Sequence, residues 1–428
     1  MNNAEPTAQQ DRIEADLTEL AALRDDRAEG WTRVALSEPD RDAREWALRK
    51  MRDVGLRAEI DDAGNVVGVL EGTAGSAGSI MTGSHTDTVD GGGQFDGTVG
   101  FCGALESVRC LRETGRRLSH DLLVVDFFSE EPNRFGVSCV GSRALTGRLT
   151  SDLLELEDHT GASFGGALRD AGVNVDRLDD VRLKGAEVHA FVELHIEQGR
   201  NLQDNAAQIG VVSTITGFAR FRALFRGRRD HAGTTPMAAR RDAGCAAAGT
   251  VLAVERIGSE GNHTRGTTGA ITLTPDAVNI VSEVAEVTSE FRSPDDYWLK
   301  HARDALRTAA HEEATARGVD LQLFWLPGEP PVQMSPDLVD VCARAAAERG
   351  YVALRMYSAA EHDAAFMARI VPSAMIFIPS KDGRSHCPEE WSDGSDIVAG
   401  VQTLVDSIVL IDGQSAVGHR PSIERTSP

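Results

Sequence analysis

Paired cysteines are missing from this sequence. Its six cysteines, at 102, 110, 139, 245, 342 and 387, form no CxxC pair. In a chain of 428 residues that usage predicts reduced, buried thiols of a cytoplasmic protein, not a disulfide scaffold. Long apolar runs are missing too. Nowhere do roughly eighteen apolar residues follow one another, so no membrane span is expected. Positive charge is in deficit. The formal net charge of -22 argues against non-specific binding to nucleic acid or an anionic membrane. It leaves room for a local basic pocket that takes an anionic substrate. The start, "MNNAEPTAQQDRIEADL", has neither the basic residues nor the apolar run of a secretory leader. No internal repeat and no low-complexity segment occurs.

What is present suits a soluble globular protein. A chain of 428 residues is long for one compact domain, and its 41% hydrophobic content supports a sizeable core. The first sixty or so residues predict helices in "DRIEADLTELAAL" and "RDAREWALRKMRDVG", the second ended by Gly55. Short strands follow around an Asp-Ala-Gly-Asn turn in "RAEIDDAGNVVGVLEG". From about 213 to 327 the pattern predicts an α+β domain with an antiparallel sheet and two helices, near 238–256 and 295–317. From about 328 the first pattern returns. The expected organisation is therefore a discontinuous catalytic domain, 1–212 with 328–428, and an inserted domain, 213–327. The closing "DGQSAVGHRPSIERTSP" reads as a loose tail.

Four apolar runs end in residues that bind metals well. "SIMTGSH" ends at His85, "LLVVDFFSEE" at Glu130 and Glu131, and "AFVELH" at His195. "AMIFIP" leads through a glycine-containing loop to His386. A helix, "GTVGFCGALESVRCLRETG", separates the first two. This alternation predicts an α/β fold with a mixed, mostly parallel sheet, whose ligands collect beyond the carboxyl ends of the strands.

"GSHTDTVDGGGQFDG" is the richest segment. His85 offers an imidazole, and Asp87, two residues on, can hold that ring. Asp96 follows the glycine run at 91–93, where glycine lets the backbone turn tightly, and is a candidate bridging carboxylate. Alone, a His-x-Asp pair is ordinary surface chemistry, and adjacent glutamates at a strand end are common. Together, His85, Asp96, Glu131, His195 and His386 form a mixed nitrogen and oxygen set that suits zinc, or manganese in its place. Five ligands with one shared carboxylate hold two metals and leave positions open for water. A dication beside the glutamate pair would remove the cost of keeping it ionised. One glutamate can then ligate while the other takes a proton. In "ELHIEQGRNL", Glu197 reads as a supporting hydrogen-bond partner and Gln198 as a neutral group facing substrate.

These segments, with "EEPNRFG", "GSRALTG", "DHAGTTPM", "AVNIV" and "SHCPEEWS", occur in an order that resembles the hydantoinase/carbamoylase family of amidases. That group includes N-carbamoyl-L-amino-acid hydrolases, β-ureidopropionases and allantoate amidohydrolases, and is related to di-zinc aminoacylases and carboxypeptidases. The resemblance covers about residues 20–412. It implies two Zn2+ per subunit, with Mn2+, Co2+ or Ni2+ as substitutes. It puts His85, Asp96 and His195 on one metal, and Asp96, Glu131 and His386 on the other. It implies Glu130 as general base, His231 as stabiliser of the oxyanion, and Asn279 and Arg292 as binders of the substrate carboxylate. It also implies a homodimer formed through the inserted domain, which closes over the catalytic one.

The sequence departs from that family pattern at Pro132, Arg200, Ala360, Glu361, Lys381 and Arg384. An acidic Glu361 near the site would repel an anionic substrate or contact a ureido or amine group. The expected activity is hydrolysis of a linear C–N bond, foremost in an N-carbamoyl amino acid, giving amino acid, carbon dioxide and ammonia. Allantoate, or another N-acyl or amide compound carrying a carboxylate, is the alternative substrate. A non-catalytic binding protein on the same fold is the alternative of another class.

Overall fold

The computed structural model describes residues 6–74, 78–183 and 187–414. Residues 415–428 of the expected tail lie outside the described residues. The chain forms two compact units, Met1–Ser213 with Gln333–Pro428, and Thr214–Val332.

The strands, in chain order, are β1 (Arg57–Ile60), β2 (Val66–Leu70), β3 (Ser79–His85), β4 (Asp121–Phe127), β5 (Val188–Ile196) and β6 (Ile209–Ile215). Then come β7 (Gly217–Arg226), β8 (Arg265–Thr274), β9 (Val284–Ser293) and β10 (Asp320–Trp325). The last three are β11 (Val332–Gln333), β12 (Ala353–Ser358) and β13 (Ser373–Ile378). The large sheet has the order β1-β2-β4-β3-β5-β13-β6-β11, with β12 also on β6. Its centre, β4-β3-β5-β13, is parallel, while β1 with β2, β2 with β4 and β6 with β13 pair antiparallel.

The parallel character belongs to the four strands that carry the candidate ligands. Parallel strands are covered on both faces and read as near-continuous apolar runs. β13, Ser-Ala-Met-Ile-Phe-Ile, is buried at every position. Helices Thr98–Glu113 and Gly394–Asp412 pack on β3 and β5. By length and composition Gly394–Asp412 could cross a membrane, but here Ile397, Val401, Leu404 and Ile408 are buried in the core.

Two glycines in this unit answer to space as well as to turning. Gly83 in β3 has φ +148°, and a Cβ there would lie 1.9 Å from the Val125 carbonyl oxygen of β4. Gly83→Ala is expected to cost about 3 kcal/mol by strain and overpacking, seen as a lowered Tm. An unchanged Tm would mean that the β3–β4 contact yields easily. In the loop before Asp96, only Gly91 turns with positive φ, at +66°. Gly93 is required for another reason: a Cβ would fall 2.2 Å from the Glu390 carboxyl group.

The second unit is the antiparallel sheet β10-β7-β9-β8 with two helices on one face. Its core joins Phe221, Phe225, Val287 and Phe291 to Ala247 and Leu306 of the helices. The first helix spans Ala243–Ser259, starting later than the apolar pattern predicts. Asp242 sets that start by accepting from the Cys245 N–H at 3.1 Å. The second helix, Asp296–Arg317, is capped by Asp295 and ended by Gly318 at φ +60°.

Candidate metal centre

His85 is the last residue of β3, His195 the penultimate residue of β5, and Glu130 and Glu131 follow β4. The parallel pairing therefore delivers all of them to one edge of the sheet. Asp96 and His386 arrive on loops. His195 Nε2 lies 3.0 Å from Asp96 Oδ1, and His85 Nε2 lies 3.6 Å from the same oxygen. The other Asp96 oxygen, Oδ2, is 3.1 Å from His386 Nε2, which is 3.2 Å from Glu131 Oε1. Two donor clusters result, His85–Asp96–His195 and Asp96–Glu131–His386, each able to hold a metal ion. Each takes one oxygen of Asp96.

The imidazoles are oriented through their far nitrogens. His85 Nδ1 is 3.0 Å from the Asp87 carbonyl oxygen, and His195 Nδ1 is 2.9 Å from the Ile196 carbonyl oxygen. A carbonyl only accepts, so both Nδ1 atoms carry hydrogen and both Nε2 lone pairs face Asp96. The Gly97 N–H donates to His195 Nε2, in keeping with that tautomer. His85 Nε2 is buried without a hydrogen-bond partner. A buried, unpartnered lone pair beside a carboxylate is costly unless it binds something. The donor set fits metal dications.

With the imidazoles protonated, charge pairing shifts the acidic and basic groups of the site. Burial would push Asp96 up, but His195, His386 and His85 outweigh it and hold Asp96 well below the usual carboxylate range. His386 is pushed up to about 11 by its hydrogen bonds to Asp96 and Glu131. Burial raises Glu130 well above the usual range, opposed by His85 and reinforced by Glu131 and Asp363. Glu130 belongs to neither cluster, yet its Oε2 is 3.6 Å from His85 Nε2. Its carboxylate thus lies beside the first cluster without belonging to it.

Asp87 works differently from the sequence-based expectation. Its carbonyl, not its carboxylate, meets the His85 ring; the carboxylate Oδ1 stands 3.6 Å from Nδ1. The carboxylate instead accepts the Glu130 N–H at 3.1 Å and the Glu131 N–H at 3.0 Å. One carboxylate thus pins the backbone of both glutamates. Ser129 before them, Cys139 after them, Gln198 and His386 all have positive φ. Such backbone strain concentrates where surrounding contacts enforce a functional geometry.

Other residues of the site gave no clear signal in the sequence. Glu390 accepts from the backbone of Phe95 and Asp96 at 2.8 and 3.0 Å and from Ser385 Oγ at 2.7 Å. Ser385 Oγ also lies 3.0 Å from Asp96 Oδ2, so its single hydroxyl hydrogen is shared between the two carboxylates. Buried Glu193 accepts from Ser84 Oγ at 2.8 Å and from the Ala364 N–H at 3.0 Å. With His195 and His362 it forms a third potential donor group. Its position two residues before His195, on the same face of β5, was the available clue.

Gln198 donates through Nε2 to Asp96 Oδ2 at 2.7 Å. Glu197 caps the next helix through the Asn201 and Leu202 N–H groups, a supporting role. Glu361 is half-buried and accepts from Ser138 Oγ at 2.8 Å, one residue before Cys139. Pro132 is exposed, and Arg200 and Arg384 pair with Asp204 and Glu389.

In the second unit, His231 Nδ1 accepts from the Gly233 and Thr234 N–H groups at 3.0 and 3.1 Å. A neutral ring then carries its proton on Nε2, as a donor. His231 bridges to Ile280, and the Asn279 carbonyl accepts from the Ala232 N–H at 3.0 Å, so these two residues are neighbours. Arg292 lies on β9, its Nε donating to Glu290 at 2.6 Å.

Residues 78–409 match the family model described as peptidase family M20/M25/M40. The chain belongs to that family. It is 38% identical over 401 residues to a ureidoglycolate hydrolase of Oryza sativa subsp. japonica, covering 92% of this chain and 83% of that protein. It is 35% identical to an N-carbamoyl-L-amino acid amidohydrolase of Geobacillus stearothermophilus, covering 94% and 98%. The crystal structure of a hydantoinase/carbamoylase family amidase from Burkholderia multivorans matches with a TM-score of 0.88 at 32% identity, covering 96% and 99%.

Proposed function

We propose that this M20 protein is a metal-dependent hydrolase of linear C–N bonds, acting on an α-ureido carboxylic acid. The pair of donor clusters sharing Asp96, with Glu130 beside them, carries the hydrolytic reading. N-carbamoyl amino acids and ureidoglycolate both place a ureido group next to a carboxylate, and relatives at 35% and 38% identity are named for them. His85, Asp96 and His195 would hold one metal, and Asp96, Glu131 and His386 the other, with zinc favoured by the donor types. Bound there, the metals supply Lewis-acid polarisation and acidify water.

Glu130 takes the proton from the attacking water and passes it to the leaving nitrogen. His231 donates an Nε2–H hydrogen bond to the developing oxyanion. Arg292 and Asn279 hold the carboxylate, and Gln198 meets the ureido group. Addition of water across the C–N bond releases the amine and carbamate, which breaks down to carbon dioxide and ammonia. A homodimer through the second unit is part of the reading. Its edge strand β8 exposes Ile271 and Leu273, and an apolar open edge favours pairing.

The test is ammonia or amine release by metal-reconstituted protein on N-carbamoyl-L-amino acids, ureidoglycolate, allantoate and N-acetyl amino acids. Ureido acids are expected to exceed N-acetyl compounds at least tenfold in kcat/KM. Faster turnover of N-acetyl amino acids would replace the ureido reading by an aminoacylase. Binding without turnover across the panel would make the chain a ligand-binding protein. Glu361→Gly should alter the ranking among ureido acids; an unchanged ranking removes Glu361 from specificity.

A further inference from the structure

The second unit's sheet carries an excess of cations at one place on its helix-free face. Buried Phe221, Phe225, Val287 and Phe291 face the helices, so the alternate positions Phe218, Arg220, Glu290 and Arg292 face the other way. The register sets Arg292 directly opposite Phe218 and Glu290 directly opposite Arg220. On the other side of β9, β8 sets Arg265 opposite Arg292 and Thr267 opposite Glu290. Directly opposed residues share a face, and their side chains interact. Two guanidinium groups, of Arg220 and Arg292, therefore flank Glu290, and a third, of Arg265, sits opposite Arg292.

That carboxylate is engaged on both oxygens. Glu290 Oε1 accepts Arg292 Nε at 2.6 Å, and Oε2 accepts Arg220 Nε at 3.0 Å. The Arg292 and Arg220 guanidinium carbons lie 5.8 and 4.4 Å from the Phe218 ring centre. The Nε bond to Glu290 and the ring together fix the plane of the Arg292 guanidinium. Exposed Arg265 has no carboxylate partner among the described residues; its Nη1 donates to the Thr264 carbonyl at 2.8 Å. Like charges directly opposite on neighbouring strands repel, and the Glu290 ion pairs go to Arg220 and Arg292, with none to Arg265 among the described residues. An external carboxylate would relieve that repulsion, and guanidinium groups bind carboxylates through paired hydrogen bonds.

We propose that Arg265 joins Arg292 in holding the substrate carboxylate, with Glu290 as the positioning residue that sets the Arg292 plane. This rests on the α-ureido acid reading above, in which Arg292 takes that carboxylate. The test titrates the metal-loaded full chain, as the Glu130→Gln variant, by calorimetry. The ligands are N-carbamoyl amino acids and their carboxamide counterparts, which keep the ureido group and lose the charge.

Arg265→Ala should weaken the acids about tenfold, the loss of one charge-assisted contact, and leave the carboxamides within twofold. Arg265→Lys should recover part of the affinity. In the Glu130-containing enzyme, Glu290→Gln should raise KM severalfold with kcat within twofold. Acid affinity unchanged in Arg265→Ala, or acids and carboxamides weakened equally, overturns the proposal. If Arg292→Ala weakens acids and Arg265→Ala does not, the proposal alone falls. If Arg292→Ala changes nothing, or the Glu130→Gln chain binds neither ligand, the functional reading falls with it.

Discussion

Glu130→Gln is expected to lower kcat by roughly a thousandfold, within the usual span for a lost general base, with metal content equal to the parent. The substitution is nearly isosteric. It keeps the backbone N–H that Asp87 accepts and the carbonyl that accepts from Cys139. Neither metal-binding cluster includes Glu130. What changes is the side chain facing His85 from 3.6 Å: an amide cannot take a proton from water at working pH. The measurements are turnover on the best ureido acid and metal content by mass spectrometry. A variant within tenfold of the parent would remove Glu130 from proton transfer. Loss of metal would make it a ligand instead.

Some of this site was legible in the sequence for a physical reason. His85 and His195 lie at or next to the ends of almost entirely buried parallel strands, so a polar donor closing such a run marks the sheet edge where ligands gather. The antiparallel pattern of β7 and β9 was equally plain, because one face packs on helices and alternate residues are buried. Other parts depend on contacts between distant segments. Glu390 holds the Asp96 loop from a separation of 295 residues, and nothing in "CPEEW" announces that role. Gly93 looked like a turn residue and is instead clearance for Glu390. Asp87 has the spacing to orient His85, but its carboxylate binds two backbone N–H groups contributed after β4. Periodicity reports which face of an element is buried. It does not report which partner a buried polar atom finds.

Asp96→Asn should separate a bridging ligand from an ordinary one. The two oxygens of Asp96 face different partners, Oδ1 toward His195 and His85, and Oδ2 toward His386. Asparagine keeps the shape but only one oxygen, and its NH2 cannot ligate. That NH2 on the Oδ2 side would confront the Gln198 and Ser385 donors, now 2.7 and 3.0 Å from Oδ2. On the Oδ1 side it would confront the His85–His195 cluster. Neither orientation serves both clusters, and the one amide oxygen that remains is uncharged, so on the proposed two-metal reading metal content should fall from about two per chain to below one, with activity down more than about a thousandfold. His386→Ala removes a ligand from one cluster only and should leave about one metal, since His85, Asp96 and His195 remain together. Both variants must be dialysed at one pH, because histidine and carboxylate ligands exchange protons for metal. Equal losses in the two variants would mean that Asp96 serves one metal, and the shared-carboxylate centre would be wrong. A greater loss in Asp96→Asn is the result that the opposed directions of its two oxygens require.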